Sequence, residues 1–113
     1  MELRKAWCAV TAHPSYQKNW TEDNPSYGQC CVTALVMQDL YGGDIYYCKV
    51  GNNSHFVNII NKRIIDKTAE QFGGVGEIKY VSGSFRKRTR ESLLKSKDVK
   101  RRYEILKSRL EEN

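Results

Sequence analysis

Long apolar runs are missing from this sequence. No stretch reaches the roughly 18 apolar residues that a membrane-spanning helix needs. The basic opening MELRKAWCAVTAH is not followed by the apolar segment of an export signal. A soluble, cytoplasmic protein with no membrane partner is the expectation. Histidine is scarce, with only two, His13 and His55, so any imidazole chemistry has two addresses. The four cysteines, Cys8, Cys30, Cys31 and Cys48, lack the regular spacing of a disulfide framework, and a neighbouring pair such as Cys30 and Cys31 rarely bridges to itself without strain. Free thiols in a reducing compartment fit best. Metal-binding spacings are missing as well. Neither C-x-x-C nor H-x-x-x-H occurs, which argues against a zinc site built from Cys30, Cys31, Cys48 and His55. There are no internal repeats, no low-complexity tracts and no DNA- or RNA-binding motif, and nothing calls for a cofactor or a metal. At 113 residues the chain is one domain, 1–113, long enough for a single core but too short for two lobes around a deep cleft. Any active site must lie shallowly, at a sheet edge or a helix end.

What the sequence does have is a basic C-terminus. From Arg86 onward eleven Lys and Arg stand against five Asp and Glu, so this segment carries the whole net charge of +6. Clustered cations are the electrostatic footprint of phosphate binding, but they also form the solvated outer face of a docked helix. The second reading is the stronger here, because Val99, Tyr103, Leu106 and Leu110 step by four, three and four beyond a candidate N-cap at Asp98 and make one apolar stripe.

The rest of the chain divides by pattern. Glu2 to His13 has helical composition and stops before Pro14. Pro14 to Gly28 is loop-like, yet its Tyr16, Trp20 and Tyr27 predict a loop packed onto the domain. Cys30 to Leu40 is apolar on nearly every side at 100° per residue, the mark of a buried central helix, and Gly42-Gly43 ends it. Asp44–Val50, Ser54–Ile60 and Arg63–Asp66 read as three short strands joined by GNN and NK turns, an antiparallel sheet behind the helix. TAEQF after Asp66 carries a capping-box pattern, Thr68 to Gln71, for one helical turn, and Glu77–Val81 is a candidate fourth strand.

The chemistry is expected at three positions. Cys30 opens the buried helix, where unpaired backbone N–H groups and partial positive charge favour a thiolate. Cys31 is rotated about 100° away, onto Ala34 and Leu35, and belongs to the core. A nucleophilic cysteine also needs a base, and the base needs an orienting group. If Asn61-Lys62 is a two-residue turn, Ile60 pairs with Arg63 and Val57 with Asp66. His55 and Asp66 then share a face and lie diagonally across the ladder, roughly 7 to 8 Å apart at the backbone. A bulge would flip that parity.

The stretches NPSYGQCCVTALVMQDLYGGDI, SHFVN, IIDKTAEQF and RRYEILKSRL together resemble the YunG-like family of small uncharacterised bacterial proteins, from the first helix to the last. The resemblance is most specific between GQC and GGDI. It implies an α+β fold with a papain-like core of the NlpC/P60 or transglutaminase-like kind. In that core the nucleophile opens the central helix, and the histidine and its partner come from successive strands. It puts the nucleophile at Cys30, the base at His55 and the orienting residue at Asp66, and brings no substrate with it. One departure concerns the oxyanion. In papain-like peptidases the stabilising glutamine lies well upstream of the cysteine, whereas Gln29 adjoins Cys30, so the Cys30 N–H with the Asn24 or Gln29 side chain is the more cautious expectation. The missing second lobe argues against a general protease. The expected activity is hydrolysis of, or acyl transfer from, a small-molecule or peptide amide or thioester. A non-catalytic interaction domain and a nucleic-acid binder, both using the basic C-terminal helix, are the alternatives.

Overall fold

The computed structural model describes residues 2–112, so the two ends of the expected 1–113 domain lie outside it. The expected helix from Glu2 to His13 is cut short. α1 spans only Leu3–Ala6, and Trp7 and Cys8 then turn to extended backbone before a 3-10 turn at Ala9–Thr11. The break brings the Trp7 indole into the core, where Nε1 donates to Thr33 Oγ1 at 2.9 Å, and it turns the Cys8 carbonyl toward Thr11 and Gln29. Helical propensity is worth a few tenths of a kcal/mol per residue, on the order of what one buried indole outweighs. The following loop packs as its aromatics imply. It contains a second 3-10 segment, Pro14–Asn19; Tyr16 stacks on Tyr27 at 4.7 Å, and Trp20 Nε1 donates to Pro25 O.

Helix α2 (Cys30–Tyr41) has Val32 to Met37 buried without interruption, as a sequence apolar on all sides requires. Gly42 caps it at φ 71°, and at Gly43 a Cβ would sit 2.6 Å from Ile59 O, so only glycine lets the chain reverse into β1 there. Strands β1 (Asp44–Val50), β2 (Asn53–Ile60) and β3 (Arg63–Ile65) form an antiparallel meander. Asn61 and Lys62 both take positive φ, 51° and 66°, the primed turn that suits a two-residue hairpin. Ile60 therefore pairs with Arg63 and Asn58 with Ile65, which is the expected register.

The fourth strand is not where the pattern put it. Glu77–Val81 makes one bridge, Val50 with Tyr80, and the ladder stops because the next donor on that edge, Lys49 N–H, is taken by Ser84 Oγ at 3.0 Å. The remaining edge of β1 is filled by β4 (Arg86–Arg88), giving the order β3-β2-β1-β4. Charged residues serve here because β4 is an edge strand that buries little of its length. The protein is thus α+β, with a four-stranded antiparallel sheet and several helices.

Helices α3 (Arg90–Leu94) and α4 (Lys97–Glu112) close the chain. The cap of α4 is Ser96, whose Oγ accepts from Val99 N–H at 3.2 Å. Asp98, the expected N-cap, instead lies inside the first turn and receives Arg101 and Arg102. Tyr103 and Leu106 are buried, and Val99 and Leu110 pack against the same core as Leu35 and Ile45. Much of the positive charge is used for docking. Arg90 meets Asp39 and the Tyr103 hydroxyl, the buried Arg102 reaches Thr11 O, and Arg109 donates to Ala6 O. No helix among the described residues is long and apolar enough to cross a membrane.

Leu106 is fully buried between α4 and α2, so Leu106→Ala should lower the unfolding free energy by about 2–5 kcal/mol in chemical denaturation. Ending the chain at Asp98 should lower the melting temperature as well. An unchanged midpoint in both would mean that the helix does not dock.

Candidate active site

The turn before α2 is held from three directions. Gly28 sits at φ +73°, where a Cβ would meet Tyr16 Cβ at 2.8 Å, and its N–H donates to Gln71 Oε1 at 3.0 Å. Gln29 is buried and gives Nε2 to Cys8 O at 2.9 Å. The first i to i−4 bond of α2 runs from Thr33 N–H to Gln29 O. The N–H groups of Cys30, Cys31 and Val32 therefore precede it and point out of the helix end. Cys30 is half-buried and opens into a cleft of about 370 Å³ walled by Tyr16, Tyr47, Phe56 and Arg88. Cys31, also half-buried, borders the same cleft and packs against the core. Burial, reinforced by negative charge on Cys30, pushes its thiol up to about 12.

His55 lies on β2 and is fully buried. Its Nε2 is 2.7 Å from Asp66 Oδ2, a carboxylate itself only 4% exposed. Phe72 meets the imidazole edge-on at 5.0 Å and Tyr80 stacks at 6.5 Å. Burial by itself would lower the histidine's pKa. The hydrogen bond to Asp66, the neighbouring Cys30 and the negative charges of both outweigh it and push the ring up to about 9. The second nitrogen, Nδ1, is buried and has no hydrogen-bond partner, sulfur included; Cys30 acts on the ring through its charge. The fold thus pairs His55, on a strand, with Asp66, the residue after β3, and sets Cys30, at the helix end, near enough for its charge to act on the ring.

The other candidates are placed differently. Gln29 spends its amide N–H on Cys8 O. Asn24 sits half-buried in the turn whose carbonyl accepts from Tyr27 N–H, away from the cleft lining. His13 is exposed but lines the same cleft as Cys30, its Nδ1 accepting from Ser15 N–H. Cys48 is opposite His55 in the ladder and buried beneath the site. Burial, with the negative charges of Asp66 and Cys30, pushes it up to about 12. Among the described residues no group of three His, Cys, Asp or Glu side chains could hold a metal ion, which leaves the Cys30, Cys31, Cys48, His55 set without a centre.

Two participants escape a reading of the sequence. Tyr80 gives its hydroxyl to Asp66 Oδ2 at 2.7 Å, and burial together with that bond raises its pKa. Thr68 gives both N–H and Oγ1 to Asp66 Oδ1 and does not cap the 3-10 turn Ala69–Phe72 through its side chain, as the capping-box pattern had suggested. The only signal for Thr68 was its place two residues after an aspartate, where Asx-type bonds form; Tyr80 carried none. Among the described residues the buried side-chain polar atoms without a partner are His55 Nδ1, Gln29 Oε1 and Gln71 Nε2. All three belong to the site or to residues that hold its turn, which is where unsatisfied groups are tolerated for function.

A family model described as YunG protein matches residues 1–113. The uncharacterized protein YunG of Bacillus subtilis (strain 168) is 43% identical over 82 residues, 73% of this chain and 67% of that protein. No solved structure matches the chain.

A group whose folded pKa is raised contributes stability that is complete below its unfolded value and is lost as the pH rises through the folded one. For His55 that window runs from 6.5 to about 9. For Cys31 and Cys48 it runs from 9.0 to about 12. Unfolding free energy measured by denaturant titration should therefore fall from neutral pH to pH 9 and continue to fall above it. His55→Gln should flatten the first part alone. Tyr80→Phe, which removes one donor from Asp66, should move the histidine's titration, followed by NMR, upward, because the carboxylate left with fewer donors holds the imidazolium more strongly.

Proposed function

The chain belongs to the YunG protein family, and for it we propose cysteine-nucleophile chemistry at an acyl carbon: hydrolysis of, or acyl transfer from, a small amide or thioester. The observation that carries this reading is the buried His55–Asp66 pair at 2.7 Å, with Nδ1 left without a partner and the charge of Cys30 acting on the ring. A purely structural histidine would be expected to satisfy both nitrogens.

In the mechanism we propose, the proton shared between Cys30 and His55 rests on the ring, held there by Asp66. The sulfur forms a bond to the substrate carbonyl carbon, and the carbonyl electron pair moves onto oxygen. Collapse of that adduct breaks the bond to the amine or thiol, which leaves with the proton from His55. Cys30 remains as a thioester. Water, or an acceptor amine or thiol, then gives a proton to His55 and attacks the thioester, releasing the acyl product and the Cys30 sulfur. Asp66 keeps the ring oriented throughout and stays ionised. For the oxyanion we propose main-chain donors of the first turn of α2, beginning with Cys30 N–H. Gln29 would have to give up Cys8 O to contribute its amide, and Asn24 would have to turn in from its loop. The order of nucleophile at a buried helix start, then histidine and aspartate on successive strands, supports a papain-like reading of this α+β frame.

A second reading, an interaction module, draws on an open groove of about 750 Å³ along α4, where Lys97, Lys100, Arg101 and Arg109 outnumber Glu104 and Glu112. Steep loss of nucleic-acid binding with rising salt would favour it.

Alkylation separates the first reading from a silent fold. Iodoacetamide at mildly acidic pH, followed by peptide mapping, should label Cys30 first. His55→Ala should slow that labelling roughly tenfold or more, Asp66→Asn should slow it less, and Cys31→Ser should leave the rate nearly unchanged. Labelling that prefers Cys31, or that is indifferent to His55, would remove the basis for an enzyme.

A further inference from the structure

The cleft in front of Cys30 is charged on one side only. Two arginines line it, Arg88 and Arg102, and no aspartate or glutamate does. The two cations differ in what they are free to do. Arg102 is buried and committed, with Nε on Asp98 at 2.9 Å and Nη1 on Thr11 O at 3.2 Å. Arg88 is half-buried, and among the described residues its guanidinium has neither an ion-pair partner nor a hydrogen bond; its one specific contact is the Phe56 ring, 6.0 Å away. This is not a general property of the segment, since Lys87 pairs with Asp44 and Arg90 with Asp39. A guanidinium partly withdrawn from water and left without an anion is unfavourable unless a ligand completes it. Phe56 and Tyr47, edge to face at 5.8 Å, form an apolar wall of the same cleft. Its volume falls at the small end of small-molecule sites.

We propose that this cleft selects carboxylate-bearing substrates, with Arg88 as the carboxylate receptor and the Tyr47–Phe56 wall taking the apolar part between that carboxylate and the carbonyl presented to Cys30. The planar two-pronged guanidinium matches a carboxylate bidentately, and the register that pairs Arg88 with Ile45 fixes it on a strand and not on a loop. The substrate class is then a small amide or thioester with a free carboxylate away from the bond that breaks. The proposal rests on Cys30 being the nucleophile for its catalytic sense, but anion recognition by Arg88 can be measured without it.

Two experiments on the native full-length chain test it. N-iodoacetyl-4-aminobutyrate and N-iodoacetyl-4-aminobutyramide form the same carbon–sulfur bond and release the same iodide, differing only in the terminal carboxylate, which the aliphatic spacer carries along the Tyr47–Phe56 wall. The ratio of their rates at Cys30, read by peptide mapping, should be roughly fivefold higher in the wild type than in Arg88→Gln. Arg88→Lys should keep part of the preference, and added salt should weaken it. In parallel, 3-phenylpropionate should shift the NMR signals of the Arg88 guanidinium and the Phe56 ring, 3-phenylpropionamide should not, and Arg88→Gln should abolish the response. If Cys30 reacts in a His55-dependent way but Arg88→Gln leaves the preference for the carboxylate reagent unchanged and phenylpropionate causes no shift, the carboxylate receptor is wrong and the nucleophile stands. If phenylpropionate binds through Arg88 while Cys30 is inert to both reagents, the receptor stands as a binding site and the acyl chemistry falls.

Discussion

Asp66 is the group around which the second half of the molecule is organised. A carboxylate only 4% exposed must be surrounded by donors or it would take up a proton, and this one collects them from separate segments: His55 on β2, Thr68 immediately after it, and Tyr80 from the stretch that follows. Each bond ties a piece of backbone to the hairpin. The chain from Thr68 to Tyr80 has little regular structure of its own, so its place over the sheet depends on these bonds and on the rings of Phe72 and Tyr80 against His55. Within that set the Asp66 bond raises the basicity of His55, while the Tyr80 and Thr68 donors moderate it.

The first half of the molecule serves the other member of the pair. Helix α2 is buried along most of its length, so its start is fixed by packing, and the Gly28–Gln29 turn is pinned by Gln71, Tyr16 and Cys8. Cys30 consequently leaves the core at a defined point, while Cys31, one residue on, also borders the cleft but packs against the core, and burial holds its proton. The adjacent cysteines are thereby given different chemical characters by one helical step of about 100°.

The basic C-terminus shows how charge can mislead when read without position. Arg90, Arg102 and Arg109 point inward and bond to Asp39, Asp98 and backbone carbonyls, helping to fasten α3 and α4 to the core. Arg88 borders the cleft, and the remaining lysines lie on the solvent side. One compositional feature is therefore divided among docking, the cleft and the outer surface.

Local pattern determined a good deal of this protein. The buried character of α2, the glycine stop after it, the three-strand meander and the apolar stripe of α4 are all periodicities of side chains along short segments. The Asn61-Lys62 turn set a register that carried Asp66 to the face of His55. What the sequence could not decide were matters of competition between distant groups. Trp7 breaks the first helix because Thr33 and the core accept its indole. Ser84 ends the pairing of the Tyr80 segment by taking Lys49 N–H, leaving the edge of β1 to Arg86–Arg88. Tyr80 joins Asp66 from 14 residues away, and Arg88, but not Arg102, is left free beside Cys30. Periodicity and turn chemistry act over a few residues and are written in neighbouring letters. Which donor wins a given acceptor depends on segments that meet only when the chain has folded, and that choice belongs to the tertiary structure.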